Sequence, residues 1–350
     1  MKNSIYGLIE KLKNKKHLTK DEYLRLITDI DAKNRSYLFD CAQSAAQQVY
    51  GKKIFIRGLV EISNHCKNDC YYCGIRRSNR NVCRYRLKKD DILTCCKMGY
   101  EIGFRTFVMQ GGEDAYFTDE VMCDIIKSIK ENYPDCAVTL SLGERSYESY
   151  KALKASGADR YLLRHESINP EHYSLLHPEN LTIENRKRCL YDLKNLGFQV
   201  GCGIMVGSPY QTLEHIAQDL EFIEQFKPHM VGIGPFIPHH DTPFANCSAG
   251  SVEMTLNLLA IVRLMNPQAL IPATTALNSL DPQGRIKGVL AGANVVMPNL
   301  SPEDVRANYT LYDNKAFTSC ESAQALEKLR SQFSQIGYEI SITRGDYPGN

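Results

Sequence analysis

Cys66-Lys67-Asn68-Asp69-Cys70-Tyr71-Tyr72-Cys73 places three cysteines at the spacing C-x3-C-x2-C, directly after an apolar run from Ile54 to Ile62. The run reads as a β-strand and the cysteines as the loop leaving it. Three thiolates crowded so closely suit a soft metal centre, since thiolate sulfur binds zinc and iron–sulfur clusters well. A structural zinc site closes on four protein ligands, and a closed cluster usually takes four cysteines. Three thiolates on a four-iron cluster leave one iron open to a reacting ligand. A zinc site completed by a distant His or Cys is a second reading of the same residues, and metal-free surface thiols are a third. His65 does not complete a zinc site, because an immediate neighbour of Cys66 rarely points at the same ion.

Outward from that loop, short β-type runs alternate with longer helical patterns. Strands are expected at 54–62, 106–109, 137–142, 161–164, 199–205, 230–233, 270–272 and 293–297. Helices are expected between them, at 118–132, 147–156, 183–196, 212–226 and 255–265, with Gly157 and Gly197 placed to end two of them. Such alternation argues for parallel strands with crossover helices. Eight units in about 250 residues match a complete (β/α)8 barrel of the TIM type. An open doubly wound sheet is the alternative. Upstream, residues 1–50 read as a helical extension that covers one barrel end, and 51–350 as the barrel with a C-terminal helical segment. Thr19 and Glu22 match a capping box, and Gly51 ends a helix expected from Asp40 to Tyr50.

A barrel of this kind works at the C-terminal ends of its strands. Those ends carry Gln110-Gly-Gly-Glu113, Ser141-Leu-Gly-Glu144, Arg164-His-Glu166, Gly203 to Gly207 with Met205 between, Gly234 to His239, Pro272-Ala-Thr274-Thr275 and Met297-Pro-Asn299. Each has an ordinary alternative. The glycines of 111–112 form a turn as readily as a ligand cradle. Arg164 and Glu166 at a rim form a simple ion pair, or hold a carboxylate and a ribose. Arg186 falls in a helical pattern where a solvated face is the ordinary expectation. His239-His240-Asp241 suits a metal or mere exposure, and Cys83 is near enough to be tested as a fourth ligand.

Hydrophobic residues make up 43% of the chain and charged residues 23%, which is ordinary for a globular protein. A formal net charge of +2 gives no electrostatic case for nucleic acid or an anionic membrane. The 13 cysteines are scattered rather than framed as a secreted scaffold, so reduced thiols in a cytoplasm are expected. The lysine-rich start lacks a signal-peptide core, and no run is long enough to span a membrane.

The C-x3-C-x2-C loop, with Tyr72 before its last cysteine, resembles the signature of the radical S-adenosylmethionine (SAM) superfamily. The further segments Gly111-Gly-Glu-Asp114, Val138 to Glu144, Ala158 to Glu166, Val231 to His239 and Ile271 to Thr275 narrow this. Together they resemble the HydE family of maturases, which help build the diiron H-cluster of FeFe hydrogenases. The resemblance spans about 54–299. It implies a 4Fe-4S cluster on Cys66, Cys70 and Cys73, with SAM on the open iron as source of a 5′-deoxyadenosyl radical. It implies SAM contacts at Tyr72, Gln110, Gly112, Ser141, Glu166, Arg186 and Met205, and deeper anion or substrate contacts at Thr139, Arg164, Thr274 and Thr275. No side chain acts as a general base. The implied substrate is a cysteine-bound iron–carbonyl–cyanide complex, attacked at sulfur. Transient contact with other maturation proteins and a low-potential electron donor is implied too. Some members carry a second cluster on three C-terminal cysteines; Cys320 stands alone in that region, so none is expected. A methylornithine- or biotin-synthase-like enzyme with a small organic substrate is the same-class alternative, and a zinc-binding structural protein the alternative of another class.

Overall fold

The computed structural model describes residues 4–315 and 322–349; Cys320 lies outside them. Three helices come first: α1 (Ile5–Lys15), α2 (Lys20–Asp29) and α3 (Ala32–Tyr50). Ser4, Thr19 and Asp31 cap them, each side chain accepting a backbone N–H, and Thr19 and Glu22 complete the expected capping box. The third helix starts eight residues before the expected Asp40, because Asp31 supplies a cap that the apolar pattern did not reveal. The three helices pack along the outer helices of the next region, where Tyr23 donates to Glu224 at 2.5 Å and Arg35 pairs with Glu253 at 2.5 Å.

Strands and crossovers then alternate: β1 (Lys53–Ile56), β2 (Gly58–Ser63), α4 (Lys89–Glu101), β3 (Thr106–Gly111), α5 (Asp119–Asn132), β4 (Ala137–Ser141), α6 (Tyr147–Ala155), β5 (Arg160–Leu162), α7 (Pro170–Leu176), α8 (Ile183–Asn195), β6 (Gln199–Val206), α9 (Leu213–Phe226), β7 (Met230–Pro235), α10 (Val252–Met265), α11 (Thr275–Leu280), α12 (Gly284–Leu290) and β8 (Val295–Val296). The chain ends with α13 (Glu303–Arg306), α14 (Ser322–Gln335) and β9 (Glu339–Ser341). Every residue of β6 and β7 is buried, as expected of parallel strands covered on both faces.

Strands β2 to β7 form one parallel sheet in sequence order, and β8-β1-β9 a second. The single strand expected at 54–62 is therefore two, because its partner changes from β9 to β3 at Arg57. The expected closed ladder of eight strands is not continuous. Isolated parallel bridges, Met230–Leu270, Pro272–Val295 and Leu59–Asn299, lie between the two sheets. The segment 270–272 stays a pair of bridges rather than a strand, since Pro272 has no N–H to donate. Sequential parallel strands bring all their C-terminal ends to one side, and that side carries the candidate site.

Candidate active site

The cysteine loop leaves β2 and has no strand ladder to hold it, so side chains do so. Arg84 donates to the carbonyls of Ile75 (2.8 Å), Arg76 (2.6 Å), Asn79 (2.9 Å) and Asn64. Asp69 accepts from Arg76 Nε at 2.7 Å and Ser78 Oγ at 2.8 Å, and these bonds, the arginine's foremost, hold its carboxyl below the usual range. The three thiols are free and partly buried. Burial pushes the Cys73 thiol up to about 12, with Cys66 adding to the shift; burial and then Cys73 and Cys66 push Cys70 up as well. Three such thiols become thiolates together only beside a compensating positive centre. Cys83 is exposed and away from the cavity below; its carbonyl accepts from Asn64 instead.

Gly112, just past the end of β3, lies against this loop. A Cβ there would meet the His65 carbonyl oxygen at 2.2 Å and Cys66 Cβ at 2.7 Å, so only glycine permits the approach. Glu113 then accepts from the Glu144 backbone N–H at 2.9 Å. Glu144 in turn binds Arg186 Nε and Asn185 Nδ2, each at 2.5 Å. Arg186 also donates to the Arg164 carbonyl at 2.6 Å. It is buried rather than on a solvated face, because the first turn of α8 points over the rim and the guanidinium ties β4 to β5. Tyr72 Oη lies 3.2 Å from His177 Nε2. His177 Nδ1 is 2.9 Å from the Tyr173 carbonyl and carries the ring proton, so Nε2 accepts from Tyr72. Burial, and then Arg186, lowers the His177 imidazole to about 3.

Glu166 has φ +62, a backbone conformation that costs a non-glycine residue about 1–3 kcal/mol. The Ser167 N–H donates to the His165 carbonyl at 2.7 Å, closing a three-residue γ-turn around Glu166. Its carboxylate accepts from Arg164 Nη2 at 2.8 Å, while Arg164 Nε is buried without a partner.

These ends enclose a cavity of about 340 Å³. Cys66, Cys70, Cys73, Tyr72, Gln110, Gly112, Ser141, Arg164, Glu166, Arg186, Met205, Thr274 and Thr275 all line it. Thr139 does not: it is buried within β4, its hydroxyl without a partner. Thr274 also caps α11 through the Leu277 N–H. Tyr309, Leu311 and Tyr312 line the cavity as well, and the sequence marks none of them. They lie on an aperiodic strap beyond β8, pinned by Gln110 to Tyr309 Oη (3.3 Å), Gly74 N–H to the Leu311 carbonyl (2.9 Å) and the buried pair Lys315–Glu61 (2.5 Å).

Among the described residues, His239, His240 and Asp313 form a group with ligand atoms within 4.8 Å of one another. His239 Nδ1 accepts the Asp241 N–H at 3.1 Å, so it presents a protonated Nε2, not a lone pair, to that group. Asp313, not Asp241, completes the cluster, by pairing with His240 at 2.7 Å.

A model of the Radical SAM superfamily matches residues 60–223. The FeFe hydrogenase maturase subunit HydE of Thermotoga maritima is 42% identical over 308 residues, covering 88% of this chain and 87% of that protein. The 3-methylornithine synthase of Methanosarcina acetivorans is 26% identical over 295 residues, 83% of each. In fold, the crystal structure of a methylornithine synthase matches with a TM-score of 0.84 at 23% identity, over 95% of this chain and 97% of that one.

Proposed function

The chain belongs to the HydE family of FeFe-hydrogenase maturases, within the radical SAM superfamily, and from that premise we propose that its cavity brings SAM and a sulfur-bound iron substrate together. It is a radical SAM enzyme. The family implies a 4Fe-4S cluster and SAM. Cys66, Cys70 and Cys73 would hold the cluster, leaving one iron free. The donor set fits. Three thiols opening together on one cavity is the observation that carries the reading. When bound, the cluster and SAM supply a 5′-deoxyadenosyl radical, so no side chain need act as a base.

The chain's own residues bind, orient and exclude water. Gly112 offers backbone to the SAM amino group, Glu166 accepts from the ribose, and Gln110, Ser141, Arg186 and Met205 complete the pocket beside Tyr72. Arg164, whose Nε has an open valence, holds the anionic end of the substrate with Thr274 and Thr275, and Thr139 lies beneath them. The strap tyrosines close the mouth against solvent. The substrate is a cysteine-bound iron–carbonyl–cyanide complex taken at sulfur. Its supply and release involve other maturation proteins, and a low-potential donor reduces the cluster. A single cluster is proposed, since one cysteine near the C-terminus holds none. The eight strand segments form a closed barrel; the three isolated bridges between the sheets support this. No helix among the described residues is long and apolar enough to cross a membrane, and a cytoplasmic setting suits the thiols.

Anaerobic iron and sulfide analysis with EPR of the reduced protein tests the reading. About four irons per chain, a signal altered by SAM, and loss of both in Cys70→Ser are expected. Stoichiometric zinc with no SAM-sensitive signal would overturn it.

A further inference from the structure

The strained turn at Glu166 is held from outside the cavity. Asp219, on α9, is fully buried and does not line the site. Its Oδ1 accepts from the Ile168 N–H at 2.6 Å and lies 3.3 Å from His165 Nε2. One carboxylate oxygen thus touches both flanks of the turn, before and after Glu166. The His165 ring is oriented for this: its Nδ1 accepts the Gly203 N–H at 3.3 Å, which leaves the ring proton on Nε2, facing Asp219. That N–H does not point straight at the oxygen, so the contact is electrostatic more than directional. The Glu166 N–H meanwhile donates to the Gly203 carbonyl at 3.0 Å, so a single residue of β6 sets the register of both sides. Phe222, one helical turn from Asp219, packs edge-on against the His165 ring at 4.9 Å. Ser167 Oγ meets His172 Nδ1 at 2.9 Å on the far side. Asp219 Oδ2 is buried without a partner. A buried carboxylate half-satisfied in this way is costly, and shape alone does not call for one.

We propose that Asp219 is a positioning residue. Through His165 and the Ile168 amide it holds the γ-turn that aims the Glu166 carboxylate at the ribose hydroxyls of SAM. The proposal rests on the reading of Glu166 as the ribose acceptor.

Equilibrium binding to the cluster-loaded enzyme tests it, with SAM and its 2′,3′-dideoxyribose analogue as probes. The wild-type protein should prefer SAM by about tenfold or more, one charge-assisted hydrogen bond's worth. Asp219→Ala should shrink that preference to about twofold or less, with iron content and circular dichroism unchanged. Asp219→Asn keeps an acceptor for the Ile168 amide but loses the charge, and should fall between. If Asp219→Ala does not fold, Asp219→Asn decides: an undiminished preference overturns the proposal. Equal weakening toward both probes would mark Asp219 as structural only, and would overturn it too. Glu166→Ala separates the two levels. If it abolishes the preference while the Asp219 variants keep it, the positioning claim alone falls. If it too keeps the preference, the ribose reading falls, and the proposal with it.

Discussion

β5 carries an arginine at its first residue, and another stands two residues past its last. At the N-terminal side, Arg160 donates to Gln199 (3.1 Å), Thr106 (3.1 Å), the Arg344 carbonyl (2.8 Å) and Asp346 (2.6 Å), and its side chain is fully buried. At the C-terminal side, Arg164 donates to Glu166 at 2.8 Å and keeps Nε without a partner beside the cavity. The two are chemically the same group four positions apart. What differs is saturation. The C-terminal tail folds back and, with Gln199 and Thr106, gives every nitrogen of Arg160 a partner, whereas Arg164 Nε is left without one. A saturated guanidinium stabilises; an unsaturated one at a cavity wall is available to a ligand. Arg57, between β1 and β2, also has Nε and Nη2 unpartnered in the interior, so openness by itself does not identify a site. It must coincide with a cavity that other functional groups share.

Paired substitutions give the strongest test of the contrast. Arg160→Ala leaves Asp346 with Arg344 alone and strands the buried acceptors Gln199 Oε1 and the Thr106 hydroxyl's lone pair, and should destabilise the fold by about 3 kcal/mol, measured by chemical denaturation, with turnover per folded molecule unchanged. Arg164→Ala should do the reverse. Substrate-dependent kcat/KM falls about 100-fold, in the range for removing a charged hydrogen-bond partner, while the melting temperature holds. Equal losses of stability in both would break the comparison.

A smaller effect depends on pH. Asp346 is lowered from 3.8 to about 2: burial alone would raise it, but bonds from Arg344 and Arg160 outweigh that. A carboxyl depressed on folding contributes stability that is present above its unfolded value and lost as pH falls through the folded one. The stability gap between the wild-type protein and Asp346→Asn should therefore be constant above about pH 4 and narrow between about 4 and 2. A gap that widens on acidification would sink the assignment. Smallest is Thr106→Val, which removes a hydroxyl shared by Arg160 and the Arg344 carbonyl (2.8 Å) while keeping the shape. It should cost about 1–2 kcal/mol, with SAM affinity unaltered.

Much of the site was legible because it sits where parallel strands end. Cys66, Gly112, Ser141, Glu166 and Thr274 each follow a recognisable apolar run, so the alternation of strand and helix put them on one rim before any contact was known. Residues without such a neighbour were not legible. Tyr309 and Tyr312 lie on a strap with no periodicity, and Arg186, marked by the family resemblance, sits in a helical pattern that by itself looks solvated. The missed start of α3 and the short bridges at 270–272 show the same limit for the fold. A cap or a missing N–H shifts a boundary without disturbing the hydrophobic pattern.

The sequence by itself determined which soft ligands stand together and the order of the strands, because three thiols at close spacing and a repeating apolar pattern are local properties of the chain. Only the tertiary structure decided which polar groups remain open. Saturation depends on partners brought from far along the chain: Asp346 for Arg160, Glu144 for Arg186, Asp219 for His165. No local pattern contains that information, since a hydrogen bond is completed by whatever the fold delivers to it.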